Sequence, residues 1–194
     1  MMQRGRQELR LAQPDSYFEI GRNCGIIHRF MQDIDVLVKA GCSADIVAHC
    51  RKVSEMAVSI ADQVKEPVDR ELVRLGGLLH DIGRSRTHDI DHALAGVEIA
   101  RELGYPAALV NIIERHIGAG ITAAEAERMG LPRKDYLPVT AEEQIVSYAD
   151  NLISGVREMP YHEALDRFKR ILGPDHEGVD LFRKQHSLIK GWMR

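Results

Sequence analysis

Apolar residues recur along this chain at spacings of three and four, punctuated by glycines, prolines and capping residues, and this pattern predicts a succession of amphipathic helices. Phe30, Ile34, Leu37 and Val38 form the first stripe, in a helix predicted from Ile27 with Gly41 as its stop. Ser43 is placed to cap a second helix whose inward stripe is Ile46, Val47, Cys50, Val53, Met56, Ala57 and Ile60, with His49 one residue from that stripe. Pro67 reads as the first-turn residue of a third helix, where a missing backbone donor is harmless. Leu72, Leu75, Leu78, Leu79 and Ile82 then lead to Gly83 as terminator, leaving His80 and Asp81 in the last turn. Asp91 is expected to cap a helix through Ala95, Ile99 and Leu103 to Gly104, and Pro106 to open another through Leu109, Ile112, Ile113 and His116 to Gly118. A short helix at Ala123–Met129 and a proline-bearing loop at Leu131–Pro138 follow. Thr140 with Glu143 spells a capping box ahead of Ile145, Val146, Ala149, Leu152 and Ile153. Tyr161–Leu172 is a further helix, and the chain after Gly173 is predicted to be helical near Leu181–Ile189. No segment alternates with period two, so the fold is predicted to be all-α.

The polar residues 1–25, with Pro14, Gly21 and Gly25, form an expected N-terminal extension. Residues 26–172 form one compact helical domain, and residues 173–194 a C-terminal helical tail packed on it. A chain of 194 residues that is 44% hydrophobic can bury one sizeable core. Its net charge of -3 supplies no broad electrostatic footprint for nucleic acid or an anionic membrane, which favours a small substrate over a long polyanion. Cys24, Cys42 and Cys50 lack any Cys-x-x-Cys spacing, so they read as reduced thiols rather than a disulfide framework or a thiolate zinc site. With no apolar run of membrane-spanning length and no signal-peptide core, the expected compartment is the cytoplasm. Phe182, Leu188, Ile189, Trp192 and Met193 are expected to dock on the body, with oligomerisation as the alternative use of that apolar surface.

His80 and Asp81, side by side at the end of an apolar helix, cost desolvation energy unless something pairs with them, and a divalent cation suits both. His49, His92, His116 and Asp150 are further candidates for the same chemistry. His49, His80, Asp81 and Asp150 come from three predicted helices and make one candidate site. Mixed imidazole and carboxylate ligation fits iron, manganese, cobalt, nickel or zinc better than calcium or bare magnesium. His88 is expected in a loop near the site, whereas His28, His162, His176 and His186 carry no assigned chemistry, and Cys42 and Cys50 are read as packing residues.

The order His49, His80-Asp81, His92, His116, Asp150 resembles the HD superfamily of metal-dependent phosphohydrolases, over a span from about Cys42 to Leu152. The likeness is strongest in His80-Asp81-Ile82-Gly83. The segments Asp91-His92-Ala93-Leu94-Ala95-Gly96, Glu114-Arg115-His116 and Tyr148-Ala149-Asp150-Asn151 look like those of small stand-alone HD proteins, namely an archaeal-type group and the bacterial HD-type diadenosine tetraphosphate hydrolases. The resemblance implies one or two divalent transition-metal ions. Asp81 would bridge two of them, with His92 and His116 completing the second. It further implies hydrolysis of a phosphoester or phosphoanhydride bond in a small, nucleotide-like substrate by metal-activated water. On that reading Asp81 and Arg84 are catalytic, and Lys52, Arg84, Arg86, Arg115 and Asn151 are the candidates for holding phosphate or orienting the substrate. Arg84 stands where many HD proteins have lysine. Gly118–Thr122 is the candidate pocket wall near the second ion, and Gly104-Tyr105-Pro106 reads as a helix stop and start rather than a cyclic-dinucleotide motif. A di-iron oxygenase and a non-catalytic, metal-stabilised nucleotide-binding module are the alternatives.

Overall fold

Most helices begin where a side chain takes up an otherwise unpaired amide proton. Ser43 Oγ accepts from the Ile46 amide, the Asp69 carboxylate from Glu71 and Leu72, Thr122 from Glu125, and His176 Nδ1 from Gly178. Thr140 and Glu143 form the reciprocal capping box. The structure, a computed structural model, describes residues 33–193. Helical residues 33–40 (α1) precede α2 (Ala44–Ala61) and α3 (Arg70–Leu79), then a 3-10 turn at Ile82–Ser85. There follow α4 (His92–Glu102), α5 (Ala107–Arg115), α6 (Ala123–Arg128), α7 (Ala141–Asn151), α8 (Tyr161–Leu172) and α9 (Glu177–Trp192). The architecture is all-α, with one addition that the hydrophobic pattern did not predict: a two-stranded hairpin after α7, β1 (Ile153–Ser154) and β2 (Arg157–Glu158), which turns at Gly155 with φ 61°. The expected extension over residues 1–25, the helix start at Ile27, and Cys24, His28 and Phe30 lie outside the described residues.

Three local expectations are corrected. Pro67 does not open α3, because Asp69 caps it two residues later. Asp91 stands at the head of α4 without capping it, since its carboxylate accepts a hydrogen bond from the Thr87 hydroxyl at 3.0 Å instead. Gly83 is no left-handed terminator. Gly41, Gly104, Gly118 and Gly173 have the positive φ of that role and Gly83 does not.

The helix α3 is the hub, and glycines set how closely its neighbours approach. A Cβ on Gly77 would lie 2.7 Å from the Ser54 Cα of α2, and one on Gly76 would meet Ile112 of α5 at 2.9 Å and Val146 of α7 at 3.2 Å. The tightest crossing is at Gly83, where a Cβ would fall 1.9 Å from the His92 carbonyl oxygen and 2.4 Å from the Gly96 nitrogen. Two apolar clusters fill the spaces. One joins Leu37, Cys50, Leu78, Leu79 and Ile82 to Val97, Leu109 and Ile113, and the other joins Val53, Ala57, Ile145, Val146 and Ala149 to Phe168, Val179, Phe182 and Ile189. The side chains of α9 therefore belong to the core, each fully buried one contributing about 1.5–3 kcal/mol. No described helix is long and apolar enough to cross a membrane.

Candidate metal centre

The close helix crossings carry six histidine and aspartate side chains to one place. His80 and His116 are the residues that follow the last turns of α3 and α5, where helix carbonyls lack intrahelical partners. Each ring donates from Nδ1 to the carbonyl three residues upstream, His80 to Gly77 and His116 to Ile113, both at 2.8 Å. His92 does the same to Asp89 at 2.7 Å, and His49 donates from Nδ1 to Gly155 of the hairpin turn at 2.8 Å. A carbonyl can only accept, so each Nδ1 carries a proton and the Nε2 of every ring is turned inward.

The inward atoms form two groups joined by Asp81. His92 Nε2 and His116 Nε2 stand 3.1 Å apart, and both face Asp81 Oδ1, at 3.2 and 3.4 Å. On the other side His49 Nε2 lies 3.0 Å and His80 Nε2 3.5 Å from Asp150 Oδ1, and the same two nitrogens lie 3.9 and 3.7 Å from Asp81 Oδ2. Donor atoms about 2.1 Å from a common ion stand roughly 3–3.4 Å apart at right-angled or tetrahedral geometry, close to the separations found here. His80 Nε2 and Asp81 Oδ1 are buried without a hydrogen-bond partner. Acceptor atoms converging at these distances repel unless positive charge, a proton or a metal cation, lies between them. The donor set therefore fits divalent metal ions, with one oxygen of Asp81 directed to each half. The protonation balance agrees. Burial opposes a charged His80, yet the carboxylates of Asp81 and Asp150 overcome it and raise its pKa to about 9, so a proton stands in for a cation. Burial also opposes the Asp81 and Asp150 charges, but the surrounding imidazoles hold both carboxyls well below their ordinary range. Burial lowers the His116 pKa and keeps that ring neutral.

The inner wall, comprising His80, Asp81, His92 and His116, is buried, whereas the side chains of His49, Asp150 and Arg84 are 15%, 21% and 27% exposed and form the mouth. Of the residues expected to meet phosphate, the structure brings Arg84 to the centre, where its Nε donates to Asp81 Oδ2 at 2.7 Å. It engages the others elsewhere. Lys52 pairs with Glu158 at 2.9 Å, Arg86 with Glu98 and Glu102, and Arg115 with both oxygens of the buried Glu143 at 3.1 and 2.9 Å. Asn151 is buried and donates to the Gly118 carbonyl at 2.9 Å. His88 is exposed in the loop beside the centre, its carbonyl 3.4 Å from Arg84 Nη1. Gly118–Thr122 lines an apolar pocket of about 150 Å³ with Ile90, Phe168 and Leu172. The pattern reading missed the hairpin carbonyl that orients His49. Its one sequence signal was the Ser154-Gly155 pair, a turn dipeptide.

The HD domain family matches residues 46–155. The chain is similar to the uncharacterized protein MJ0778 of Methanocaldococcus jannaschii, at 53% identity over 146 residues, covering 74% of this chain and 86% of that protein. It is similar to the tRNA (cytidine(56)-2'-O)-methyltransferase of Picrophilus torridus, at 43% identity over 76% of this chain but only 44% of that protein, so it spans less than half of that relative. Ribonuclease Y of Pseudothermotoga lettingae is 33% identical over 66% of this chain and 22% of its own length. Among solved structures, the HD domain of the L. monocytogenes phosphodiesterase PgpH in complex with cyclic-di-AMP shares the fold, with a TM-score of 0.53 at 16% identity over 82% of this chain and 94% of that one.

Proposed function

This chain belongs to the HD domain family, and from that premise we propose that it is a metal-dependent phosphohydrolase acting on a phosphoester or phosphoanhydride bond of a small nucleotide-like substrate. The observation that carries the reading is the division of Asp81, with Oδ1 facing His92 and His116, and Oδ2 on the side of His49, His80 and Asp150. His49, His80, Asp150 and Asp81 would hold one ion, and His92, His116 and Asp81 a second. When bound, such ions make water a nucleophile near neutral pH and polarise a phosphoryl oxygen. The protein's own part is positional. Backbone carbonyls lock the four rings in the tautomer that offers Nε2, and the buried wall keeps bulk water off the inner face. Arg84, at the mouth, offers guanidinium donors to the phosphate oxygens of an arriving substrate. The net charge of -3 supports a small substrate.

A second reading is favoured by the RNA-related names of two relatives, the tRNA methyltransferase and ribonuclease Y: the scissile phosphate belongs to a short RNA or an RNA end. One experiment serves both. Phosphate release and product formation are measured with nucleoside mono-, di- and cyclic phosphates, dinucleoside polyphosphates and short end-phosphorylated RNAs, with manganese, iron, cobalt or nickel supplied. Turnover of at least one class that disappears in Asp81→Asn supports the proposal. An inert wild type throughout the panel, or an equally active Asp81→Asn, overturns it.

A further inference from the structure

The two oxygens of Asp81 are not equivalent. Oδ1 is buried with no hydrogen-bond donor, whereas Oδ2 already holds a cation, the Arg84 guanidinium, through Nε at 2.7 Å. Asp81 is the only ion-pair partner of Arg84 among the described residues, and its one other hydrogen bond is the long contact from Nη1 to the His88 carbonyl at 3.4 Å. Arg84 lies in a short 3-10 turn at the mouth, with a side chain 27% exposed. It is held by one strong charge-assisted bond and little else.

We propose that Arg84 is a place-holder cation: it occupies Asp81 Oδ2 in the metal-free protein, and the ion that takes this oxygen releases the guanidinium to bind the substrate phosphate at the mouth. A divalent ion and a guanidinium sharing one carboxylate oxygen repel each other, and only the guanidinium, on a flexible and partly exposed stem, can leave. Ion binding on the side of His49, His80 and Asp150 therefore has to break the contact with Arg84, while the half formed by His92 and His116 faces no such competitor. The freed arginine then loses its one ion-pair partner among the described residues and is available to an anion, so ion and phosphate bind cooperatively through this one side chain. The inference rests on the phosphohydrolase reading of the centre and adds to it the order of events.

The test is a Mn²⁺ titration of metal-free protein, followed by the electron paramagnetic resonance signal of the free ion, with and without inorganic phosphate. Wild type is compared with Arg84→Met, which keeps the stem and removes the charge, and with Arg84→Lys. Circular dichroism checks that each is folded. The expected result is roughly tenfold tighter Mn²⁺ binding by Arg84→Met, equivalent to ~1.4 kcal/mol, together with loss of the phosphate-induced tightening seen in wild type. Arg84→Lys, charged but without the planar fork, falls between them and decides the matter should Arg84→Met not fold. Binding by the variants that is unchanged or weaker than wild type overturns the place-holder role and leaves the phosphohydrolase reading intact. Absence of Mn²⁺ binding by wild type itself would remove both.

Discussion

Gly83→Ala is the substitution that most sharply links the fold to the centre. The new methyl would start 1.9 Å from the His92 carbonyl oxygen and 2.4 Å from the Gly96 nitrogen, both backbone atoms that no rotamer change can move aside. Restoring ordinary contact, at about 3.2 Å or more for carbon and oxygen, requires the 3-10 turn and α4 to separate by roughly 1 Å. Overpacking of this kind costs about 1–3 kcal/mol or more, and the smaller unfolded-state entropy of alanine offsets about 0.4–1 kcal/mol of it. A net loss of about 2 kcal/mol corresponds to a fall in Tm of about 4–8 °C for a domain of this size. Because Asp81 precedes the turn and His92 begins α4, the same movement pulls His92 Nε2 from its 3.2 Å approach to Asp81 Oδ1. A displacement of about 1 Å in a reacting assembly can reduce turnover by about a hundredfold. Thermal denaturation and metal content of Gly83→Ala are measured beside Gly104→Ala, whose added methyl meets nothing within 4 Å and whose cost is confined to its positive φ of 75°. Wild-type stability and full metal content in Gly83→Ala would refute the reasoning.

Three other expectations follow from the same geometry. Glu143→Ala removes the carboxylate half of the capping box of α7 and takes from the Arg115 guanidinium the carboxylate it pairs with, so denaturant unfolding should show a loss of about 3–5 kcal/mol, and a loss below 1 kcal/mol would mean that Arg115 finds other partners. In metal-free protein the His80 pKa is raised from 6.5 to about 9, so its stabilising contribution is complete below about pH 6.5 and is lost as pH rises through about 9. Metal-free Tm should fall across that window, and a saturating divalent ion, which replaces the proton, should flatten the slope; an equal slope with and without ion would count against the exchange. At a free ion concentration a hundred times Kd, binding should stabilise the fold by ~2.7 kcal/mol, or about 5–11 °C in Tm, so addition of a chelator should reverse a shift of that size.

Much of the fold was legible because local chemistry and tertiary packing agree. The bounds of α8 are the predicted ones, set by Pro160 before Tyr161 and Gly173 after Leu172, and the Thr140–Glu143 capping box forms as spelled. The hairpin escaped because strands of two residues are too short to show a period. Gly83 was misjudged for a related reason: a glycine needed for close approach and one needed for positive φ look alike in sequence, and only the position of α4 separates them. In the centre, His80 and Asp81 stand out because an acid and an imidazole at the end of an apolar helix demand a partner, whereas His49, His92, His116 and Asp150 gain weight as ligands only through their resemblance to the order of the HD family, and the long cationic side chains could not be placed. Arg115 adjoins His116, yet consecutive helical residues diverge by about 100°, and the structure carries its guanidinium to Glu143. Asn151 likewise follows Asp150 but faces Gly118 and Gln185.

The most direct test of the divided Asp81 is elemental analysis of protein purified without oxygen or chelator, for wild type and for the double variant His92→Ala, His116→Ala. The account predicts about two transition-metal ions per chain in wild type and about one in the double variant, because the half built on His49, His80 and Asp150 survives. A wild type without bound metal, or a double variant with the full wild-type content, would contradict it.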